Sequence, residues 1–256
     1  MLTDLAGGVL TLTLNRPEKK NALTRGMYQS LADALERADR DPAIRCVLLR
    51  ANGDMFTAGN DILDFTAAAA ANDGTLDALV ASGNPLLNAL GRARIPLVAA
   101  VQGRAVGVGV TLLLHCDMVF VAEDALLTTP FVNLALAPEA ASSLLLPARI
   151  GHVRAFSMLV LGEAIDGRKA EAWGIANAAV PAGELQVRAR TAADAIAARA
   201  RDSVAITKAL MRDHDAIAAR MAEENRHFAA QLKSAEAQEA FAAFAQKRAP
   251  NFWKAF

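Results

Sequence analysis

Residues 9–14 (VLTLTL) place an apolar side chain at every second position, the period of a β-strand, and Asn15-Arg16-Pro17 ends the run. From Thr24 the period changes. Met27, Leu31, Leu35 and Ala38 recur at helical spacing, with Thr24 as the cap of the helix they predict. Apolar runs at 46–49, 97–101, 118–121 and 125–128 are predicted strands, and 176–180 closes the series before Pro181. Helical patterns fall between them at 76–90, 106–115, 140–146, 153–161 and 167–173. Strands alternating with helices predict an α/β fold. Beyond Glu184 only helical patterns remain, at 188–199, at 203–211 and from 216 to about 244. The last carries Met221, Phe228, Leu232, Phe241 and Phe244, more apolar surface than a lone helix hides, so the tail is expected to pack on a neighbouring subunit.

Composition narrows the class. The 256 residues are 54% hydrophobic and 21% charged, which supports a large core and argues against disorder. Lysine plus arginine and aspartate plus glutamate number 27 each, so neither nucleic acid nor an anionic membrane is an expected partner. Cys46 and Cys116 lie in apolar runs and read as core thiols of a reducing compartment. The N-terminus lacks a basic region and cleavage site, and the apolar stretch 96–114 is interrupted by Gln102 and Arg104. A cytoplasmic location is therefore expected.

Two loops carry candidate chemistry. FTAGND (56–61) and QGRAVGVG (102–109) each follow a predicted strand and open a predicted helix. Gly59, and Gly103 with Gly107 and Gly109, permit close backbone approach and free N–H groups. Each loop alone reads equally as an ordinary strand-to-helix connection. The second lacks the dinucleotide spacing of glycines. His115, His152, His214 and His227 show no metal-ligand spacing, so no metal is expected.

LNRPEKKNAL (14–23), FTAGND, AVQGRAVGVGVTLLLHCDMVFVAEDA (100–125), GEAIDGRKAEAWGIANAAVP (162–181) and FAQKRAPNF (244–252) together, in this order, resemble the crotonase, or enoyl-CoA hydratase/isomerase, family. The resemblance implies a spiral of ββα units over residues 1–195. It implies a helical trimerisation region over 196–256, and so a homotrimer or a dimer of trimers. The implied substrate is an acyl-CoA thioester, with coenzyme A part of the substrate and no separate cofactor. Its carbonyl would accept from the backbone N–H groups of Asn60 and Val108, where the family usually has glycine at the second. Ala22, Ala58, Gly59, Asp61, Ile62, Gly107, Phe131 and Asn133 would line the substrate site. Arg16, Lys20 and Lys247 are candidates for the CoA phosphates, and read equally as solvated charges. Asp61 reads better as a loop fastener than as a base. The alanine-rich segment 67–71, within a connection (67–83) read as mobile, would shape the acyl end.

The departures point to the reaction. Similar hydratases use two glutamates; here those positions are Thr111 and Phe131. A hydroxyl and a phenyl ring cannot share a water as two carboxylates do. A glutamate does stand at 139, in TPFVNLALAPEAASS, a pattern that looks like the single-glutamate Δ3,Δ2-enoyl-CoA isomerase branch. By that resemblance Glu139 would move a proton from C2 to C4. On local grounds Pro138-Glu139 reads as a helix start with an acid in its first turn. Two other functions stay open: a hydratase or related activity with another carboxylate, such as Asp61, and a non-catalytic acyl-CoA-binding relative.

Overall fold

A strand buried along its whole length needs neighbours on both edges and layers on both faces. That is the place of β2 (Val9–Leu14), every residue of which is buried. It pairs antiparallel with β1 (Leu2–Ala6) and parallel with β3 (Cys46–Ala51). The sheet continues in parallel through β4 (Leu97–Val101), β6 (Met118–Ala122) and β9 (Ala178–Val180). A second, three-stranded sheet has the order β5 (Arg104–Val106), β7 (Leu126–Thr128), β8 (Ile165–Asp166). The computed structural model describes residues 1–61 and 83–254, so the predicted helix over 76–90 is seen only as α2 (Pro85–Arg92), and segment 67–71 lies outside the described residues.

The chain winds between the two sheets. It leaves β4 in the large sheet, β5 in the small one, then the short helix α3 (Val108–Thr111), continued as a 3-10 turn to His115. It then leaves β6 in the large sheet, β7 in the small one, and α4 (Ser142–Ile150). This is the expected spiral of ββα units. Leu12, Val47, Leu49 and Leu97 meet Leu31 and Leu35 of α1 (Arg25–Arg40), and Leu86 and Leu90 of α2. On β3, β4 and β6 also packs α7 (Leu185–Ala197), whose Ala189, Ala193 and Ala197 form a buried stripe of small residues that lets the backbone approach.

The tail docks on this core by an ion pair and hydrogen bonds as well as apolar contact. Lys208 of α8 (Arg201–Leu210) is buried, with Nζ 2.8 Å from Asp117 Oδ2 and 2.7 Å from the Ile95 carbonyl. Arg212 donates to the His115 carbonyl and Arg149 to that of Leu114. Two cations thus satisfy the carbonyls at the C-terminal end of the α3 segment, where the helix dipole is negative. Ile217, Met221 and Leu232 of α9 (His214–Leu232) are buried within the chain itself, against α2 and α4. Much of the apolar surface expected to face another subunit is therefore covered here, while Ile206, Leu210, Met211 and Phe244 remain exposed.

Several expectations need correction. The helix read as continuous over 216–244 is two, because Ser234 caps α10 (Ala235–Ala245) by accepting from Ala237 N. The 106–115 pattern is not one helix, since Val106 ends β5 and Gly107 turns the chain. The 153–161 pattern is a short α5 (His152–Phe156) followed by a π-turn. The exposed β1 and the very short β5 and β8 escaped the pattern altogether.

Candidate active site

The two loops are fastened to one another and to the segment after β2. Thr57 and Ala105 form an isolated parallel bridge: Thr57 N donates to Arg104 O and Val106 N to Thr57 O, both at 3.1 Å. Asn60 and Val108 each lie three residues beyond the bridged pair. Leu23 N donates to Gly59 O at 2.8 Å and Asp61 N to Leu23 O at 3.0 Å. Asn21, buried and with φ +51°, donates from its side chain to the Asn52 and Met55 carbonyls and accepts from Arg16 N. The first loop thus hangs on the LNRPEKKNAL segment, and its backbone has little freedom.

Two glycines make the geometry. Gly59 has φ +87°, and a Cβ there would stand 2.8 Å from the Val106 carbonyl oxygen. Gly107 has φ +55° with ψ −115°, and the place of its missing Cβ is open space. Both conformations are costly for other residues. After the Gly59 turn the Asn60 N–H is left without an acceptor among the described residues, and after the Gly107 turn so are those of Val108 and Gly109 at the start of α3. The orphan N–H at a helix start is the general rule for helix termini. The Val108 side chain is buried in the core cluster, so its bulk is taken up there.

Glu139 is buried and its Oε1 has no hydrogen-bond partner among the described residues. Burial first, and then the negative charge of Glu224, push its carboxyl up to about 8. It does not sit in the first turn of a helix. The helix begins at Ser142, because Ala140 and Ala141 adopt left-handed backbone with φ +62° and +54°. That departure removes the dipole contact that would have lowered the carboxyl. Thr111 and Phe131 are buried, with the Thr111 hydroxyl within 3.5 Å of the Val108 carbonyl.

Three residues missed by the sequence reading belong to the same neighbourhood. Tyr28, on α1, donates its hydroxyl to Asn60 Oδ1 and is bonded by the Asn84 side chain. Burial, then the charge of Glu139, hold this phenol well above its usual range, which places it in electrostatic reach of the carboxylate. Glu224 of α9 accepts from Ala141 N at 2.6 Å, Ser143 N at 2.9 Å and Ser143 Oγ at 2.6 Å. His115 has Nε2 2.8 Å from the Ala140 carbonyl and Nδ1 2.9 Å from Arg212. Since a guanidinium only donates, Nδ1 accepts and Nε2–H donates to Ala140 O. Burial, then Arg212, push the imidazole down to about 3, so it stays neutral.

The remaining candidates divide. Asp61 is a loop fastener, its Oδ2 2.6 Å from Arg16 Nη1, which also donates to the Ala22 carbonyl. Arg16 is therefore an internal clamp rather than a free surface charge. Lys20 is exposed and pairs with Asp54 at 2.9 Å, and its carbonyl accepts from Ala58 N. Asn133 does not hold Glu139. It is exposed and its carboxamide lies against the Gly162 backbone, 2.4 Å from where a Cβ there would stand. Lys247 is exposed beyond α10, and Ile62 lies outside the described residues. No group of three metal-binding side chains occurs among the described residues, and none of their helices is long and apolar enough to cross a membrane.

Known proteins share this fold. A family model described as enoyl-CoA hydratase/isomerase matches residues 4–255. The 1,2-epoxyphenylacetyl-CoA isomerase of Escherichia coli K12 is 31% identical over 98% of this chain and 97% of its own. Enoyl-CoA delta isomerase 2 of Rattus norvegicus is 35% identical over 82% of this chain, which spans only 54% of that protein. The crystal structure of an enoyl-CoA hydratase/isomerase from Pseudoalteromonas atlantica T6c superposes with a TM-score of 0.90 at 43% identity, covering 98% of both chains. A whole-length family match, full-length relatives and the shared spiral lead to one conclusion: the chain belongs to the enoyl-CoA hydratase/isomerase, or crotonase, family of acyl-CoA-processing enzymes.

Proposed function

We propose that this enzyme is a Δ3,Δ2-enoyl-CoA isomerase with Glu139 as its single acid/base. The observation that carries the reading is the buried Glu139 carboxyl with an unpartnered oxygen, while the two positions that hold glutamates in similar hydratases are Thr111 and Phe131. The other buried acid among the described residues, Glu224, is engaged by three donors and is not free to activate water.

Proton loss from C2 of a 3-enoyl thioester sends the C–H electron pair into a dienolate, with negative charge on the thioester oxygen. The N–H groups of Asn60 and Val108 receive that charge, each worth about 3 kcal/mol in the transition state. The neutral Glu139 then returns the same proton to C4, and the double bond ends between C2 and C3. Nothing is added or lost, so one carboxyl suffices. Conversion of a 3-enoyl-CoA to its 2-enoyl form without 3-hydroxy product is the expected assay result. Hydration of crotonyl-CoA at comparable rate would favour the hydratase, and ester binding with neither conversion the non-catalytic relative.

The base must be ionised in the free enzyme, and its carboxyl stands at about 8. The kcat/KM for isomerisation is therefore expected to rise with pH up to about 8 and level off above it. A profile flat from pH 6 upward, measured with a 3-enoyl-CoA, would show that another group carries the proton.

We also propose a trimer, or a dimer of trimers, assembled through the tail, on the ground that Ile206, Leu210, Met211 and Phe244 are exposed together with the apolar Val153, Phe156 and Leu161. Light scattering on a size-exclusion column is expected to give a multiple of three chains. A monomer at micromolar concentration would refute this.

A further inference from the structure

The loop that carries Glu139 is strained and does not hold itself. Two consecutive alanines, Ala140 and Ala141, have left-handed backbone, at roughly 1–2 kcal/mol each for a residue with a Cβ. The helix that follows has Ala141 at its N-cap, with no side chain of its own to satisfy the first N–H groups. Such strain persists only where the surroundings over-determine it.

The surroundings come from two distant parts of the chain. Glu224, 83 residues on from Ala141, accepts from the N–H groups of Ala141 and Ser143 with one oxygen each, and takes the Ser143 hydroxyl as well. It thus supplies from outside the cap that residue 141 lacks. His115 binds the carbonyl of Ala140 from the other side, and is itself fixed by Arg212 on Nδ1. The left-handed pair is therefore gripped at the Ala140 carbonyl and the Ala141 N–H, immediately after the glutamate, and the first turn that follows at the Ser143 N–H.

We propose that Glu224, seconded by His115, is the positioning residue for Glu139: it holds the Ala140–Ala141 corner so that the carboxyl is presented to the substrate rather than drawn into a regular helix start. The proposal rests on the reading of Glu139 as the base. Glu224 does not touch substrate in this scheme; it acts through the loop and through its charge. The charged and titratable groups that face this pair are Tyr28 from α1, His115 from the α3 segment with Arg212 behind it, and Arg220 on α9 itself, whose Nη1 reaches Ser143 Oγ at 3.4 Å. The negative charge that bears on Glu139 is that of Glu224.

The test is Glu224→Gln, which keeps the size and one acceptor but loses the charge and the second acceptor. With a 3-enoyl-CoA, kcat is expected to fall about tenfold or more, the cost typical of a misplaced catalytic group, while KM stays near that of the wild type. Loss of the charge beside Glu139 also moves the acid limb of the kcat/KM profile to lower pH. A merely structural residue would not move that limb. His115→Ala is expected to lower kcat with KM kept and the limb in place, because the neutral imidazole brings no charge. An unchanged kcat and limb in Glu224→Gln overturns the proposal, as does loss of ester binding in parallel with turnover. The dependence on the base is checked separately by Glu139→Gln. If that variant keeps turnover, the functional reading fails, whatever Glu224→Gln does.

Discussion

Glu139→Gln is expected to lower isomerisation by about 10³-fold or more while leaving acyl-CoA binding intact, since the amide keeps the shape but cannot carry the proton. It is also expected to make the protein more stable, and the pH dependence of that gain is the sharper check. In the unfolded chain the carboxyl ionises near 4.5; in the fold it holds its proton up to about 8. Between these values the unfolded state releases a proton that the native state keeps, so raising the pH favours unfolding of the wild type. The stability that Glu139 leaves intact below about pH 4.5 is lost progressively on the way to about 8. The glutamine does not titrate. Its Tm should match that of the wild type in acid and exceed it increasingly up to about pH 8. An equal Tm at alkaline pH would mean that the carboxyl is not buried as described, and retained turnover would remove it from the mechanism. A gain in stability coupled to loss of function is the usual mark of a residue kept for chemistry.

What the residues disclosed in advance depended on how far each signal reached along the chain. The strand and helix periods of β2, β3, β4, β6 and α1 are local, and they stood in the sequence plainly. Gly59 and Gly107 were visible as loop glycines, but which N–H groups they free depends on the Thr57–Ala105 bridge, a contact 48 residues apart that no local pattern contains. Glu224 was concealed in another way. It falls in the apolar stripe Ile217, Met221, Glu224, Phe228, Leu232, and a carboxylate at such a position is costly unless it is bonded. That anomaly was the available clue. His115, at the end of the run VTLLLH, and Tyr28, beside Met27 on the buried face of α1, carry the same clue: a polar group where the helix turns inward. The left-handed Ala140–Ala141 pair gave none, because alanine before a helix reads as helix former, and only the outside clamp makes that backbone tenable.

Gly59→Ala should be a severely damaging single methyl in the proposed site. At φ +87° any Cβ carries a penalty of about 1–2 kcal/mol. Here the methyl would also press on the Val106 carbonyl oxygen, 2.8 Å away, and that atom belongs to backbone that cannot swing aside. Something must move, and the bonds at risk are those that join the loops: Val106 N to Thr57 O at 3.1 Å and Leu23 N to Gly59 O at 2.8 Å. Asn60 follows Gly59 directly, so its N–H turns with the displaced peptide. A donor misaligned by a fraction of an ångström loses most of its preference for the charged oxygen, and losing one such donor costs about 10²–10³ in kcat. Gly59→Ala is therefore expected to drop kcat by about that factor and to lower Tm as well. Gly183→Ala is the control: no atom lies within 4 Å of the added methyl, and its turnover should equal the wild type. If Gly59→Ala turns over a 3-enoyl-CoA as fast as that control, the enolate charge does not rest on the Asn60 N–H, and the two-donor site fails with it.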